Sequence, residues 1–155
     1  MRAISLKGFE DKNFIKYTGK KRSKGMEMNR KDIEIIFQIA FNMALADRKI
    51  EKYESEILDR FKEVLNVNEL KAAKILDRKI TLEQSISKLS NQIAKENMVK
   101  TMCALAYADG VRYEEEISMV HRANNALERP LALEPWENWE NYVEQTLDYL
   151  NAFKG

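Results

Sequence analysis

The chain has 155 residues, of which 45% are hydrophobic and 33% charged, with five glycines and two prolines. This length suits one domain that can bury a sizeable core without a structural metal or disulfide. The single cysteine, Cys103, excludes an internal disulfide and favours a reducing, cytoplasmic setting. No apolar run approaches the roughly 18 residues of a membrane span, and the N-terminus lacks the apolar stretch of a signal peptide.

The net charge of +1 hides an asymmetry between a basic leader and an acidic body. Residues 1–31 carry a net charge of +7 and residues 32–155 a net charge of −6. We therefore divide the chain into a basic N-terminal arm, residues 1–28, and a helical domain, residues 29–155. The candidates for contact with an anionic membrane or a nucleic acid are Lys20, Lys21, Arg22 and Lys24. A solvated arm that is attracted to the acidic body is the alternative interpretation.

Apolar residues recur at helical spacing along the domain and predict an all-α fold. The predicted helices lie near 30–46, 51–65, 68–77, 82–90, 92–108 and 113–128, with a final helix whose first turn contains Pro135. Asn29 with Asp32, and Thr81 with Gln84, have the spacing of N-terminal capping boxes. In the final segment we interpret one apolar stripe as core, formed by Trp136, Trp139, Val143, Leu147 and Leu150.

The domain contains an internal repeat, in which residues 40–50 resemble residues 102–112 at a shift of 62 positions. The shift places Asp47 on Asp109, and Glu54 on Glu116, after an apolar helix in each copy. Such a duplication predicts a compact helical bundle of two pseudo-symmetric helical hairpins, to which a C-terminal helix is added.

Each repeat brings carboxylates together at the turn between its two helices. An Asp at the end of a helix faces the negative end of the helix dipole, and Glu54 or Glu114–Glu116 adds further negative charge. A cation relieves such crowding, and carboxylate oxygens suit calcium or magnesium, whereas zinc prefers Cys or His. The alternative is that Asp47 and Asp109 only cap backbone N–H groups in their turns. Neither copy has the ligand pattern of an EF-hand loop.

The two turns resemble the repeated motif of the tellurite-resistance TerB-like family. That motif is an Ala-Asp-Gly turn, a variable stretch, and acidic residues that open the next helix. The copies here read Ala-Leu-Ala-Asp-Arg-Lys-Ile-Glu-Lys-Tyr-Glu at 44–54 and Ala-Tyr-Ala-Asp-Gly-Val-Arg-Tyr-Glu-Glu-Glu at 106–116. The resemblance covers residues 30–128, and Arg48 stands where the family prefers glycine.

This resemblance implies an all-α fold with related hairpins and an acidic surface that binds a divalent cation. It also implies a bacterial stress-associated role that is exercised through partners, including membrane-associated ones. By position, the implied metal ligands are Asp47, Glu54, Asp109, Glu115 and Glu116.

Residues for catalysis are not evident in the sequence, and we assign no catalytic residue. His121 is the only histidine, and phosphate-binding loops and nucleophile motifs are missing. We therefore expect a non-enzymatic, cytoplasmic TerB-like module whose acidic surface binds calcium or magnesium, or a protein partner. The alternative is an adaptor that docks to an anionic membrane or nucleic acid through its arm, with nucleic acid the less expected partner. A metal-dependent hydrolase is the least favoured function.

Overall fold

A computed structural model of the protein describes residues 28–45, 52–76, 81–108 and 110–154. These ranges form helices and no strands, so the expected all-α class is confirmed. The helices are α1 Arg30–Leu45, α2 Lys52–Leu65, α3 Glu69–Leu76, α4 Leu82–Ser87, α5 Gln92–Tyr107, α6 Glu114–Asn125 and α7 Glu140–Lys154. The arm residues Lys20, Lys21, Arg22 and Lys24 lie outside the described ranges. None of the described helices is long and apolar enough to cross a membrane.

The internal repeat is visible in the helix boundaries. Helix α5 begins and ends 62 residues after α1, and α6 begins 62 residues after α2. The N-caps follow the same shift, because the side chains of Asn29 and Asn91 accept the backbone N–H of Asp32 and Ala94, each at 2.9 Å. The prediction of two related hairpins is thus confirmed for these helices.

The core is built around α1 and α5, the corresponding first helices of the two hairpins. Residues 35–40 of α1 and 101–106 of α5 are all buried. Successive helical residues point about 100° apart, so a fully buried run means that neighbours surround the helix on every side. Helix α5 contacts α1, α6 and α7, and α7 also packs on α2. The buried runs of α1 and α5 therefore determine where the outer helices can lie.

A buried carboxylate joins the starts of these two central helices. Asp32 is 1% exposed, and its Oδ2 accepts the backbone N–H of Asn29 at 3.0 Å, which closes the predicted capping box. Its two oxygens also accept the N–H and O–H of Ser90 at 2.8 and 2.6 Å. Ser90 directly precedes Asn91, the N-cap of α5. One side chain thus completes the cap of α1 and holds the first residues of α5 beside it.

A folded connection leads from α6 to α7. Buried Asn124 on α6 donates to the carbonyl of Leu131 and accepts its N–H, both at 2.9 Å. The indole N–H of Trp139 donates to the carbonyl of Glu134 at 2.7 Å. These bonds hold a short 3-10 turn, Trp136–Asn138, after Pro135, so α7 begins only at Glu140. The prediction that Pro135 lies in the first turn of the last helix is therefore wrong.

The predicted apolar stripe of the C-terminal segment is divided by this arrangement. Trp139 and Leu150 are buried, at 1% and 0% exposure, which confirms their place in the core. Trp136, Val143 and Leu147 are only half-buried. Trp136 lies in the 3-10 turn and Trp139 directly before α7, so only Val143, Leu147 and Leu150 belong to the helix itself. The stripe is therefore only partly core.

The substitution Asp32→Asn tests the junction between α1 and α5. The amide nitrogen of Asn cannot accept the hydrogen bonds that one carboxylate oxygen takes, while the volume stays the same. We expect the free energy of unfolding, measured by urea denaturation, to fall by about 1–3 kcal/mol. Ser90→Ala removes a single bond and should lower it by about 0.5–1.5 kcal/mol. Exposed Ser118 is the control for a serine substitution; an Asp32→Asn protein as stable as Ser118→Ala contradicts the assignment.

Candidate functional site

The candidate site is the corner between α5 and α6. Helix α5 ends at Tyr107, whose carbonyl accepts the N–H of Gly110 at 2.9 Å. Gly110 has φ +74°, in the left-handed region that glycine enters without the cost of a Cβ atom. The chain then runs to Glu114, where α6 begins. Glycine thus allows the left-handed conformation at the residue that bonds back to the end of α5.

Three glutamates occupy the first turn of α6, where the positive end of the helix dipole stabilises them. The Glu114 carboxylate accepts a hydrogen bond from Nε of Arg112 at 2.8 Å. Glu115 is exposed, and within the described ranges its carboxylate makes no ion pair. Glu116 is 5% exposed and lies beside the core. Of the three carboxylates, that of Glu115 is the one presented to solvent without a counter-charge.

The predicted metal ligands are only partly covered by the described residues. Asp47 and Asp109 lie outside them, and Glu54 lies near the start of α2 with its side chain undescribed. Glu115 and Glu116 share the first turn of α6 but differ in exposure. In the described part of the chain, no three Asp, Glu, His or Cys side chains form a group that could hold a metal ion. The five-residue set therefore stays a prediction, with Glu115 chemically suited to calcium or magnesium.

Two arginines at equivalent repeat positions make different contacts, which the sequence did not reveal. Arg122 on α6 forms a bidentate ion pair with Glu83 on α4, in which Nε and Nη2 donate to the two carboxylate oxygens at 2.7 and 3.0 Å. Hydrogen bonding to Arg122 lowers the pKa of the Glu83 carboxyl below its usual value. The equivalent Arg60 instead contacts Asn151 on α7 and Glu63. Although they align in the repeat, each ties its hairpin to a different helix.

Neither Cys103 nor His121 adds a reactive group to the site. Cys103 is completely buried, and burial raises the pKa of its thiol. His121 is exposed on α6, with its ring centroid 6.4 Å from that of Trp139.

The fold is thus that of an all-α protein with a duplicated helical hairpin and an acidic corner. Residues 69–130 match the family model described as Tellurite resistance protein TerB, which supports the TerB-like family assignment. The match extends from α3 through α6 and includes the Asp109–Gly110 turn and its glutamates. The first repeat and α7 lie outside it. No curated protein and no solved structure matches the chain.

The substitution Gly110→Ala tests the geometry of the corner. An added Cβ would meet no atom within 4 Å, so the cost comes only from the left-handed backbone at φ +74°. We expect the free energy of unfolding to fall by about 1–2 kcal/mol, as measured by urea denaturation. Gly110→Asn should lose less, because asparagine tolerates this region better than alanine. Equal stability of the Ala variant and the parent protein would rule out a left-handed backbone conformation at Gly110.

Proposed function

We propose that this protein is a non-enzymatic TerB-like stress-response module, of the tellurite-resistance type, acting in the cytoplasm. Its acidic surface at the corner of the second hairpin binds a divalent cation, calcium or magnesium, or a basic protein partner. The observation that carries the proposal is the first turn of α6, within the TerB match, where the exposed Glu115 carboxylate has no counter-charge in the described chain.

Electrostatics support this use of the corner. The sequence places Asp109 five residues before Glu114, and Gly110 keeps the intervening backbone turned. Hard carboxylate oxygens at such a turn favour calcium and magnesium over softer metals. A lysine or arginine side chain of a partner would offset the same negative charge. The divalent cation and the basic partner would therefore compete for the same surface.

A cation titration tests the first form of the proposal. Calcium or magnesium at about 100 times its dissociation constant should stabilise the folded chain by about 2.7 kcal/mol and raise the melting temperature by roughly 5–10 °C. The reference is choline chloride at the same ionic strength, so that screening is equal. Asp109→Asn and Glu115→Gln should each reduce the shift.

The matched control for these charge substitutions is Glu128→Gln, since Glu128 is exposed beyond the far end of α6. Its melting-temperature shift should equal that of the parent protein. If the parent protein shows no melting-temperature shift, or if Asp109→Asn leaves the shift unchanged, cation binding is excluded and only the protein partner remains in the proposal.

The second candidate function is an adaptor that docks to an anionic surface through the arm. The net charge of +7 in residues 1–31, against −6 in the rest of the chain, favours it. Lys20, Lys21, Arg22 and Lys24 would then contact the headgroups of an acidic membrane.

Sedimentation with phosphatidylserine vesicles tests the adaptor. Replacing the four basic residues by serine in the full chain should weaken binding by about 1 kcal/mol for each residue. Added salt should weaken binding of the parent protein, because it screens the attraction. Vesicles of neutral lipid give the background, and duplex DNA in their place tests the nucleic-acid form. If binding is unchanged by the four substitutions, the arm is not the contact with the anionic surface.

A further inference from the structure

A cleft of about 320 Å³ opens between α2, the end of α5 and α7. This volume is at the lower end of the range for ligand pockets. The lining residues are Glu56, Ile57, Tyr107, Ala108, Glu140, Val143 and Leu147. The cleft begins directly before the Asp109–Gly110 turn, but its α7 wall lies outside the TerB match.

The floor of the cleft is apolar, and one of its side chains packs against a neighbouring aromatic ring. Val143 and Leu147 are one turn apart on α7, so they lie on the same face of the helix, and both are half-buried. Ile57 on the opposite wall is 2% exposed. The Tyr107 ring packs on the Trp136 ring, with centroids 5.0 Å apart. Covering this floor with another apolar group would remove further hydrocarbon surface from water.

The rim of the cleft is acidic. Glu56 and Glu140 line it from opposite helices, both are exposed, and neither makes an ion pair or hydrogen bond with a side chain that the structure describes. No Lys or Arg is among the lining residues that the structure describes. Arg60, one turn after Glu56 on α2, is engaged by Glu63 and Asn151, and the side chain of Lys52, one turn before Glu56, is outside the described part of the structure. An apolar floor between two carboxylates that pair with no described cation is complementary to an apolar side chain between two cations.

We propose that this cleft binds a basic segment of a partner protein, which inserts one aromatic or leucine-sized side chain between two lysines or arginines. The inserted side chain covers Tyr107, Val143 and Leu147, and the flanking cations lie beside Glu56 and Glu140. This inference goes beyond the proposed function, because it adds a contact for a basic partner in the cleft, at a site separate from the corner at Glu115.

Titration of the 15N-labelled full chain with the peptide Lys-Lys-Phe-Lys-Lys, followed by NMR, tests the cleft. The largest amide shifts should fall on residues around Tyr107, Val143 and Leu147. Lys-Lys-Ser-Lys-Lys should bind more weakly because it cannot cover the floor, and Glu-Glu-Phe-Glu-Glu should not bind because the rim repels it. Glu56→Gln and Glu140→Gln should each weaken binding by about two- to fivefold, with Glu128→Gln unchanged.

The outcomes separate this inference from the proposed function. If peptide binding is unchanged in Glu56→Gln and Glu140→Gln but lost in Glu115→Gln, the assignment of the binding site to the cleft is wrong. The proposal that the acidic corner binds a basic partner is then retained. No peptide binding and no cation shift overturn both. Binding that appears only after Lys20, Lys21, Arg22 and Lys24 are replaced by serine identifies the chain's own arm as occupant, and overturns the assignment to a partner protein.

Discussion

The buried carboxylate of Asp32 is the contact on which the arrangement of the bundle depends. It completes the cap of α1 and binds the backbone and hydroxyl of Ser90, directly before α5. A carboxylate that is 1% exposed loses its hydration, so its hydrogen bonds must replace that water. Satisfying them fixes the starts of the two central helices side by side. The outer helices α6 and α7 both pack on α5.

The duplication holds for both ends of α1 and α5 and for the starts of α2 and α6, but not for side-chain roles. The repeat places Ala94 where the first copy has Asp32, so a single carboxylate serves both central helices. The equivalent arginines differ as well: Arg122 holds α4, whereas Arg60 reaches α7. These differences arise because each hairpin meets different neighbours. The acidic corner matched by the family and the cleft on α7 are consequently separate features of one bundle, which adjoin at Tyr107 and Ala108.

Sequence reasoning was most successful where the determining interactions are local. The capping box of Thr81 and Gln84 connects residues three positions apart, and both of its hydrogen bonds form. It was least successful along the last segment, where periodicity placed Val143 and Leu147 with Trp139 in the core. A helical stripe faces whatever packs beside it, and periodicity does not distinguish a core from the floor of an open cleft. Pro135 was misplaced because the indole of Trp139 binds the Glu134 carbonyl and holds a 3-10 turn there.

By itself, the sequence determined the all-α class, the helix boundaries to within a few residues, the caps and the 62-residue repeat. These follow from bonds and spacings within a few residues of one another. Only the tertiary structure decided that Asp32 binds Ser90, that Glu116 is buried while Glu115 is exposed, and that α7 leaves a cleft beside Glu56 and Glu140. Each of these depends on groups far apart in the chain, whose proximity is set by how the helices pack.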